Sequence, residues 1–287
     1  MEEFQWVELS AMGFVGDLSV GHNSGFAEEE LPTDAHYPPE YQRKSLQEQI
    51  GILCEWLKIR DGGFDERFAD QPLPEGAEGW FACPRWRSLI DTDGRTVKTY
   101  NEALDLALSA LSFQRLIGAD GNFVKTYEEA GRFSAGRRNK RFHSHRVNKT
   151  GPEYFREGEH KVRSMHVLAE RQTGNFLVFP AQFGFLHRGR SARRAAACYL
   201  DHEFGLGVFE GACMTLTHPE RFVRQDQLHV KFPGDENNAF GIGEKFLDVG
   251  MFVWARYEQI YPACLRFTSY RISSTGFRSG CATGFIP

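Results

Sequence analysis

The order of two hydrophobic patterns along the chain most constrains its fold. Residues 45–63 begin with a serine suited to an N-cap, continue with apolar side chains at helical spacing and end in a Gly-Gly pair, which predicts an amphipathic helix. Residues 99–111 repeat this pattern behind a capping-box motif, and predict a second helix. Four later segments are rich in β-branched and aromatic residues and predict strands: GVFEGACMTL, LHVKFPG, FLDVGMFVWARY and LRFTSYRIS. This order predicts an α+β protein, with helices in the first two thirds and a mixed or antiparallel sheet toward the C-terminus.

Three more elements are predicted in the middle of the chain. Residues 151–174 predict a third long helix that opens at a Gly-Pro pair and includes Phe155 on its apolar face. Residues 175–185 form a short apolar run, which predicts a buried strand that stops at Pro180. A helix over residues 192–200, with a serine N-cap, is expected to follow directly.

Acidic and basic residues are segregated along the sequence, although the net charge of the 287 residues is only −4. Residues 1–130 carry 11 basic and 24 acidic side chains, a net charge of −13, whereas residues 131–195 carry 15 and 4, a net charge of +11. A basic segment in an acidic chain either faces an external polyanion or packs against the acidic part of its own chain. Residues 1–40 predict an irregular acidic arm, and one hypothesis is that this arm lies over the basic surface when that surface is empty.

The sequence HRGRSARR places four arginines at the start of the helix predicted after the buried strand. A helix begins at the positive end of its dipole and normally favours acidic residues there, so the arginines suggest a bound anion. We expect Arg188, Arg190, Arg193 and Arg194 to bind phosphates, with Ser191 as the N-cap at the same site. The alternative is that the arginines face water or pair with carboxylates elsewhere in the chain.

A second basic stretch is the loop GRRNKRFHSHR, in which an aromatic residue and two histidines lie among the cations. Such a mixture suits contact with phosphates and stacking on an unpaired base. We therefore expect Arg137, Arg138, Lys140 and Arg141 to extend the phosphate-binding track of the arginine-rich helix. The alternative is a solvated run of charges.

The histidines and acidic residues in and near the basic stretches are candidates for catalysis and for metal binding. His187, Asp201 and His202 are candidates for acid–base catalysis, because a histidine beside carboxylates can move protons. His143 and His145 offer two metal ligands, but no carboxylate or cysteine lies at a recognised spacing from them and the surrounding arginines repel cations. We expect no metal and no cofactor.

The cellular location is inferred from three general features. The six cysteines are scattered and form no CxxC pair, which is typical of reduced, buried thiols. The sequence MEEFQWVELS lacks the basic region of a signal peptide, and no apolar run approaches the ~18 residues of a membrane span. These features predict a cytoplasmic protein without a membrane partner.

Two stretches resemble proteins of mobile genetic elements. The peptide GHNSG, residues 21–25, resembles a short N-terminal peptide that recurs in unrelated proteins of alphaproteobacterial phages and mobile elements. The block from PAQFGFLHRGRSARRA to FGLGVFEGACMTLTHPERF is similar to uncharacterised proteins of phage or prophage type. The resemblance implies such an origin, and for a phage-encoded protein the cytoplasm of a bacterial host. It implies no activity and no catalytic residue.

These patterns together predict one α+β domain over residues 41–287, with the basic loop at 134–150 as the one candidate sub-boundary, preceded by the acidic arm. The predicted function is the binding of a polyanion, most simply nucleic acid. Two alternatives stay open. One is an enzyme that acts on a phosphorylated or nucleotide substrate in the same pocket. The other is a protein-interaction factor, such as a host-directed inhibitor or a virion component, whose basic segment meets an acidic protein.

Overall fold

The computed structural model describes residues 25–90, 94, 96–113, 143–144, 155–222, 226–237, 248–255 and 264–287. Its α-helices are α1 (Leu46–Leu57), α2 (Glu66–Ala69), α3 (Tyr100–Phe113), α4 (Glu159–Glu170), α5 (Ala192–Ala196) and α6 (Val208–Thr217). Its strands are β1 (Gly79–Pro84), β2 (His143–Ser144), β3 (Phe155–Glu157), β4 (Phe176–Gln182), β5 (Glu203–Gly205), β6 (His229–Asn237), β7 (Asp248–Ala255), β8 (Cys264–Arg271), β9 (Ser279–Cys281) and β10 (Thr283–Phe285). Helices lie mostly in the first half and strands toward the C-terminus, which confirms the α+β prediction.

Helices α1 and α3 begin at the N-cap residues that the sequence predicts, Ser45 and Thr99. In α1 the Ser45 hydroxyl accepts a hydrogen bond from the backbone N–H of Glu48 at 3.3 Å. In α3 the Thr99 hydroxyl accepts from the backbone N–H of Glu102 at 3.2 Å. Both helices bury the apolar side chains that follow at helical spacing, so capping and periodicity together define these elements.

The first sheet has four antiparallel strands in the order β1-β4-β10-β5. The prediction that the middle strand ends at Pro180 is wrong, because β4 continues to Gln182. On the β10 side the pairing covers Ala181 and Gln182, so Pro180 lies just outside that ladder and its missing N–H breaks no bond there. The outer edge of β1 is covered by the Gln49 side chain, which bonds the backbone of Trp80 and that of Ala82, both at 3.0 Å.

The second sheet is mixed and contains most of the C-terminal strands. Its order is β2-β8-β7-β6-β3, and β9 also pairs with β6. The β2–β8 and β6–β9 pairs are parallel, and the other pairs are antiparallel. Three of the four segments predicted as strands therefore form β6, β7 and β8.

The fourth segment, GVFEGACMTL, forms helix α6, so the prediction of a strand there is wrong. All ten residues of α6 are buried, and the helix packs against α1, α3, β1 and β6. A helix that is buried on every side has no polar face, and a short apolar run of this kind cannot be distinguished from a buried strand by periodicity. At Gly211 the ring of Phe232 lies where a Cβ would be, 1.9 Å from its position.

Two further helices differ from the sequence-based expectation in their bounds. The third long helix was expected to open at the Gly-Pro pair and to include Phe155, but Phe155 lies in β3 and pairs with Asn237 of β6. Helix α4 begins at Glu159. The helix expected over residues 192–200 ends at Ala196, because the chain turns there to enter β5.

A continuous hydrophobic core runs through the described residues, from Leu46 of α1 to Ala282 beside β10. Within the described ranges, no helix combines the length and the apolar composition needed to cross a lipid bilayer.

Candidate functional sites

The arginine segment, residues 188–194, is covered by a docked arm, residues 25–31. The arm and the segment share an isolated antiparallel bridge between Glu30 and Arg190, and the Leu31 N–H donates to the carbonyl of Gly189 at 2.9 Å. A Cβ at Gly189 would stand 2.0 Å from the Leu31 carbonyl oxygen. Glycine is therefore required for the arm to lie this close to the segment.

The carboxylate of Glu29 occupies the place where the sequence predicted an anion. Glu29 is 8% exposed and accepts a hydrogen bond from the Ser191 hydroxyl at 2.6 Å. The Nε of Arg193 lies 2.8 Å from both carboxylate oxygens. Ser191 is also the N-cap of α5, as predicted, and accepts from the Arg194 N–H at 3.0 Å. Burial alone would raise the pKa of Glu29, but the hydrogen bonds from Arg193 and Ser191 outweigh it and lower that pKa.

Glu30 binds the other two arginines of the segment in the same way. Its Oε1 lies 3.0 Å from the Nε of Arg190, and its Oε2 lies 3.0 Å from the Nε of Arg194. The hydrogen bonds from these arginines lower the pKa of Glu30, against the opposite effect of burial. Three of the four arginines predicted to bind an anion thus bind carboxylates, and both carboxylates belong to the same chain.

Arg188 differs from its neighbours. Its guanidinium carbon lies 4.2 Å from the centre of the Phe185 ring, a side chain that is itself exposed. Its Nη1 is buried without a hydrogen-bond partner, and no ion pair joins Arg188 to an acidic residue in the described part of the chain. Arg188 is therefore the arginine of the segment to which the docked arm supplies no counter-ion.

The three catalytic candidates are not brought together. His187 is 1% exposed, with Nε2 2.7 Å from Glu203 Oε1 and Nδ1 3.0 Å from Nη1 of Arg190. Both ring nitrogens are thus engaged within the protein. Asp201 is exposed, and the ring of His202 packs against another aromatic ring at 5.6 Å. The Nε2 of His202 is buried without a hydrogen-bond partner among the described residues, and none of the three candidates lines the pocket of about 310 Å³ described below.

Most of the predicted basic loop lies outside the described residues, including Arg137, Arg138, Lys140 and Arg141. Only the backbone of His143 and Ser144, which forms β2, is described. The other histidine considered as a metal ligand, His145, also lies outside the described residues. No group of three or more His, Cys, Asp or Glu side chains in the described ranges has an arrangement that could hold a metal ion.

The structure contains a second charged centre, which we call the lysine cluster: Lys161, Tyr100, Glu157, Glu210 and Asp235. The Nζ of Lys161, a fully buried side chain, lies 2.8 Å from Glu210 Oε2 and 3.0 Å from Asp235 Oδ1. It lies 3.3 Å from Glu157 Oε1 and 3.1 Å from the Tyr100 hydroxyl. These side chains come from α3, β3, α4, α6 and β6, so one ammonium group joins five elements of the fold.

The first turn of α6 supplies further positive character to the lysine cluster. The N–H of Val208 donates to Asp235 Oδ2 at 2.7 Å, and that of Gly207 donates to Glu210 Oε2 at 3.1 Å. Tyr100 also donates its hydroxyl proton to Asp235. Backbone N–H groups at a helix start stabilise nearby negative charge, so Asp235 is well satisfied as a carboxylate.

Burial controls the ionisation of the cluster. It raises the pKa of Glu210 and of Asp235, although the attraction of Lys161 works in the opposite direction. Burial by itself would lower the pKa of Lys161, but its acidic neighbours, led by Asp235 and Glu210, outweigh it and raise that pKa well above its usual range. The ammonium therefore stays charged, while the carboxyl groups hold protons more tightly than in water.

A pocket of about 310 Å³ lies beside the lysine cluster, between residues 84–88 and helix α4. We call it the Trp86 pocket. Its lining includes Trp86, Arg87, Glu157, Met165, Leu177 and Glu210. Its size and its mixture of apolar walls with a few polar groups are typical of small-molecule sites.

No sequence pattern pointed to this centre. Glu157 and Lys161 have the spacing of an ordinary exposed helical pair, and Glu210 lay in a segment predicted as a strand. The one available signal was the presence of acids in otherwise apolar segments, as in GVFEGACMTL, since a buried acid requires a partner.

Comparisons of the chain with protein-family models, with curated proteins and with solved structures found no match.

Proposed function

We propose that the arginine segment binds a polyanion, most simply nucleic acid, after the docked arm leaves it. The observation that carries the proposal is that Glu29 and Glu30 already bind Arg190, Arg193 and Arg194 as anions. Guanidinium groups bind phosphate oxygens with the same geometry as carboxylate oxygens. A phosphate backbone can therefore replace the two glutamates on the same arginines.

The exposure of the ion pairs supports such an exchange. The side chains of Arg193 and Glu30 are 30% and 34% exposed, whereas their partners Glu29 and Arg194 are 11% and 13% exposed. An exposed ion pair contributes only about 0–1 kcal/mol, and a hydrogen-bonded pair with one covered partner contributes about 1–2 kcal/mol. A nucleic acid that binds several cations also gains from the release of its counterions. Arg188 and the exposed ring of Phe185 offer an additional cation and a surface for base stacking.

The predicted basic loop extends this surface in the proposal. Arg137, Arg138, Lys140 and Arg141 would contact phosphates beyond those held by the arginine segment. The resemblance to proteins of phages and mobile elements fits a bacterial cytoplasm, in which foreign or host nucleic acid is the abundant polyanion. The proposal accordingly assigns the protein to that setting.

Fluorescence anisotropy with single-stranded DNA, duplex DNA and RNA at several salt concentrations tests the proposal. We expect a Glu29→Ala/Glu30→Ala variant, in which the arm is released, to bind more tightly than the wild type. We expect a variant with alanine at the three paired arginines to bind more weakly, with a shallower dependence of log affinity on log salt.

The matched control is Glu48→Ala/Glu55→Ala, which removes the same charge from exposed positions of α1. If this control binds as tightly as the arm variant, the gain comes from net charge and the arm has no specific role. If the arm variant binds none of the three nucleic acids at low salt, the arginines serve the fold or an acidic protein partner, and the proposal fails.

A catalytic function at the arginine segment has less support. The alternative of a phosphorylated or nucleotide substrate needs a base with a free nitrogen beside the arginines. His187 uses both ring nitrogens within the protein, and Asp201 is exposed. The Nε2 of His202 has no hydrogen-bond partner among the residues that the structure describes, but its ring packs against Phe285 and makes no described contact with the arginine segment. The geometry thus favours binding over catalysis at this segment.

A further inference from the structure

The charges around the Trp86 pocket are unequal. Glu157, Glu210 and Asp235 all contact the single ammonium of Lys161. Asp235 is satisfied further by Tyr100 and by the first turn of α6. Glu157 and Glu210 are the carboxyl groups that line the pocket. They share one buried cation, Lys161, and the other cation near them in the described part of the chain is the exposed Arg87 at the mouth of the pocket.

Glu210 has an unused acceptor. The Gly207 N–H and the Lys161 ammonium both bind its Oε2. No hydrogen bond between described residues reaches its Oε1. Glu210 is 2% exposed and belongs to the lining of the pocket, so an acceptor there that finds no donor is unfavourable. A donor placed in the pocket is therefore the group that would complete its hydrogen bonding.

Arg87 shows what kind of group the mouth of the pocket accepts. Its guanidinium carbon lies 4.6 Å from the centre of the Trp86 ring, and its Nη2 lies 3.5 Å from Glu157 Oε2. The Arg87 side chain is 64% exposed, so it is held loosely. Trp86 and Glu157 thus already bind a cation of the chain itself, by a ring face and a carboxylate.

We propose that the Trp86 pocket binds a small organic cation, a primary amine or a guanidinium on an apolar stem, whose charged group contacts Glu157 and Glu210. The ligand cation takes the place of Arg87 and donates a hydrogen bond to Oε1 of Glu210. Its stem lies against the apolar part of the lining, which includes Val162, Met165 and Leu177.

The basic residues of the lining do not oppose a cation at the acidic end. Nη2 of Arg85 donates to the carbonyls of Ala169 and Gln172, near the C-terminal end of α4, while its Nε is buried without a hydrogen-bond partner in the described ranges. His166 is exposed and its Nε2 lies 3.2 Å from a carboxylate oxygen of Glu170. The contacts of Arg85 and His166 lie near the C-terminal end of α4, whereas Glu157 lies just before its N-terminal end.

The ionisation of Glu210 gives the proposal a distinctive readout. Burial raises the pKa of Glu210, whereas a cation beside it favours the ionised carboxylate and opposes that shift. The titratable groups that face Glu210 are Lys161, Asp235, Glu157, Cys83 and Tyr100. Binding of a cation should therefore release a proton, and affinity should increase as the pH rises.

Isothermal titration calorimetry of the full chain tests the proposal, with agmatine and n-pentylamine as probes and 1-pentanol as the neutral control. We expect both cations to bind and the alcohol not to bind. We also expect binding to tighten as the pH rises above 4.5 through the raised pKa of Glu210, with a heat that depends on the ionisation enthalpy of the buffer.

Three variants sharpen the test. Arg87→Ala removes the competing cation from an exposed position, and we expect it to tighten binding about two- to fivefold. Glu210→Gln should weaken binding at least about tenfold and remove the proton release. Glu159→Gln, an equal charge change at an exposed position of α4 outside the pocket, should leave affinity unchanged.

The decisive variant is Arg87→Ala, since its exposed side chain can be removed without disturbing the core. Absence of binding by both the wild type and Arg87→Ala overturns the proposal. Equal binding of 1-pentanol and n-pentylamine overturns it as well, because the pocket would then recognise only the apolar stem.

Discussion

The lysine cluster and the arginine segment use the same chemistry in different surroundings. In each, basic side chains face glutamates or an aspartate at hydrogen-bonding distance. In the lysine cluster Lys161, Glu210 and Asp235 are buried, and burial raises the pKa of Glu210 and of Asp235. In the arginine segment the hydrogen bonds dominate, and the pKa of Glu29 and of Glu30 is lowered.

The difference shows that depth in the protein, and not the pairing of charges alone, decides what such a centre can do. A deeply buried carboxyl group holds its proton more tightly and joins elements of the fold. A carboxylate nearer the surface, such as Glu30 at 34% exposed, stays ionised, and another anion can compete for its partner. The arginine segment is thus suited to exchange and the lysine cluster to a fixed geometry.

The largest expected effect is that of Lys161→Met. This change leaves buried carboxyl groups without their shared cation, and we expect the free energy of unfolding to fall by about 3–5 kcal/mol. Urea denaturation measures it, with Lys98→Met, at an exposed position, as the control. A loss no larger than that of the control would mean that the cluster contributes little to stability, and would remove the contrast with the surface segment.

The corresponding change in the arginine segment is Arg193→Ala, for which we expect a smaller loss of about 1–2 kcal/mol. Arg193 is partly exposed, so water replaces part of its interaction with Glu29. Limited proteolysis should also cut within residues 25–31 faster than in the wild type. Arg163→Ala, which removes an exposed pair with Glu159, should change neither quantity; an unchanged cleavage rate in Arg193→Ala would show that the backbone bonds alone hold the arm.

The two centres should respond to pH in opposite directions. The pKa of Glu29 is lowered on folding, so its contribution to stability is present above its ordinary value of 4.5 and is lost as the pH falls through the lowered pKa. The pKa of Glu210 is raised, so its ionisation opposes folding as the pH rises from 4.5 through the raised pKa.

Unfolding free energies at several pH values measure this difference. Glu29→Gln should destabilise the protein at neutral pH and lose that effect in acid. Glu210→Gln should become more favourable, relative to the wild type, as the pH rises. Parallel pH profiles for the two variants would contradict the assigned environments.

The smallest expected effect on stability is that of Arg188→Ala. No ion pair joins Arg188 to an acid in the described part of the chain, so we expect the free energy of unfolding to change by less than about 0.5 kcal/mol. Affinity for nucleic acid should nevertheless fall in the variant whose arm has been released. A change in stability as large as that of Arg193→Ala would mean that Arg188 serves the fold.

The sequence predicted those helices that carry their own signals. Helix α1 has a cap at Ser45 and a single apolar face, so local information was sufficient. Helix α6 has neither, because its surroundings bury every side, and its identity depends on the elements packed around it. Phe155 was placed in a helix for a similar reason, since its pairing with Asn237 in β6 cannot be seen locally.

The sites divide in the same way. The arginine segment is contiguous in sequence, and an anion for it was predicted, although Glu29 and Glu30 were not identified as that anion. The lysine cluster has no local pattern. The residues Tyr100 and Asp235, which share a hydrogen bond, are 135 positions apart, so folding has to bring its members together before their chemistry becomes visible.

The position of β10 between β4 and β5 has a consequence for synthesis of the protein. Thr283 of β10 pairs with Gln182 of β4 on one side and with Gly205 of β5 on the other. During translation β4 and β5 therefore leave the ribosome well before β10, the strand that lies between them in the sheet. Until then β4 and β5 each present an open edge, the type of edge that attracts other chains. Nascent chains stalled before residue 283 should therefore depend on chaperones, and protease digestion of such chains would reveal whether β4 is still accessible.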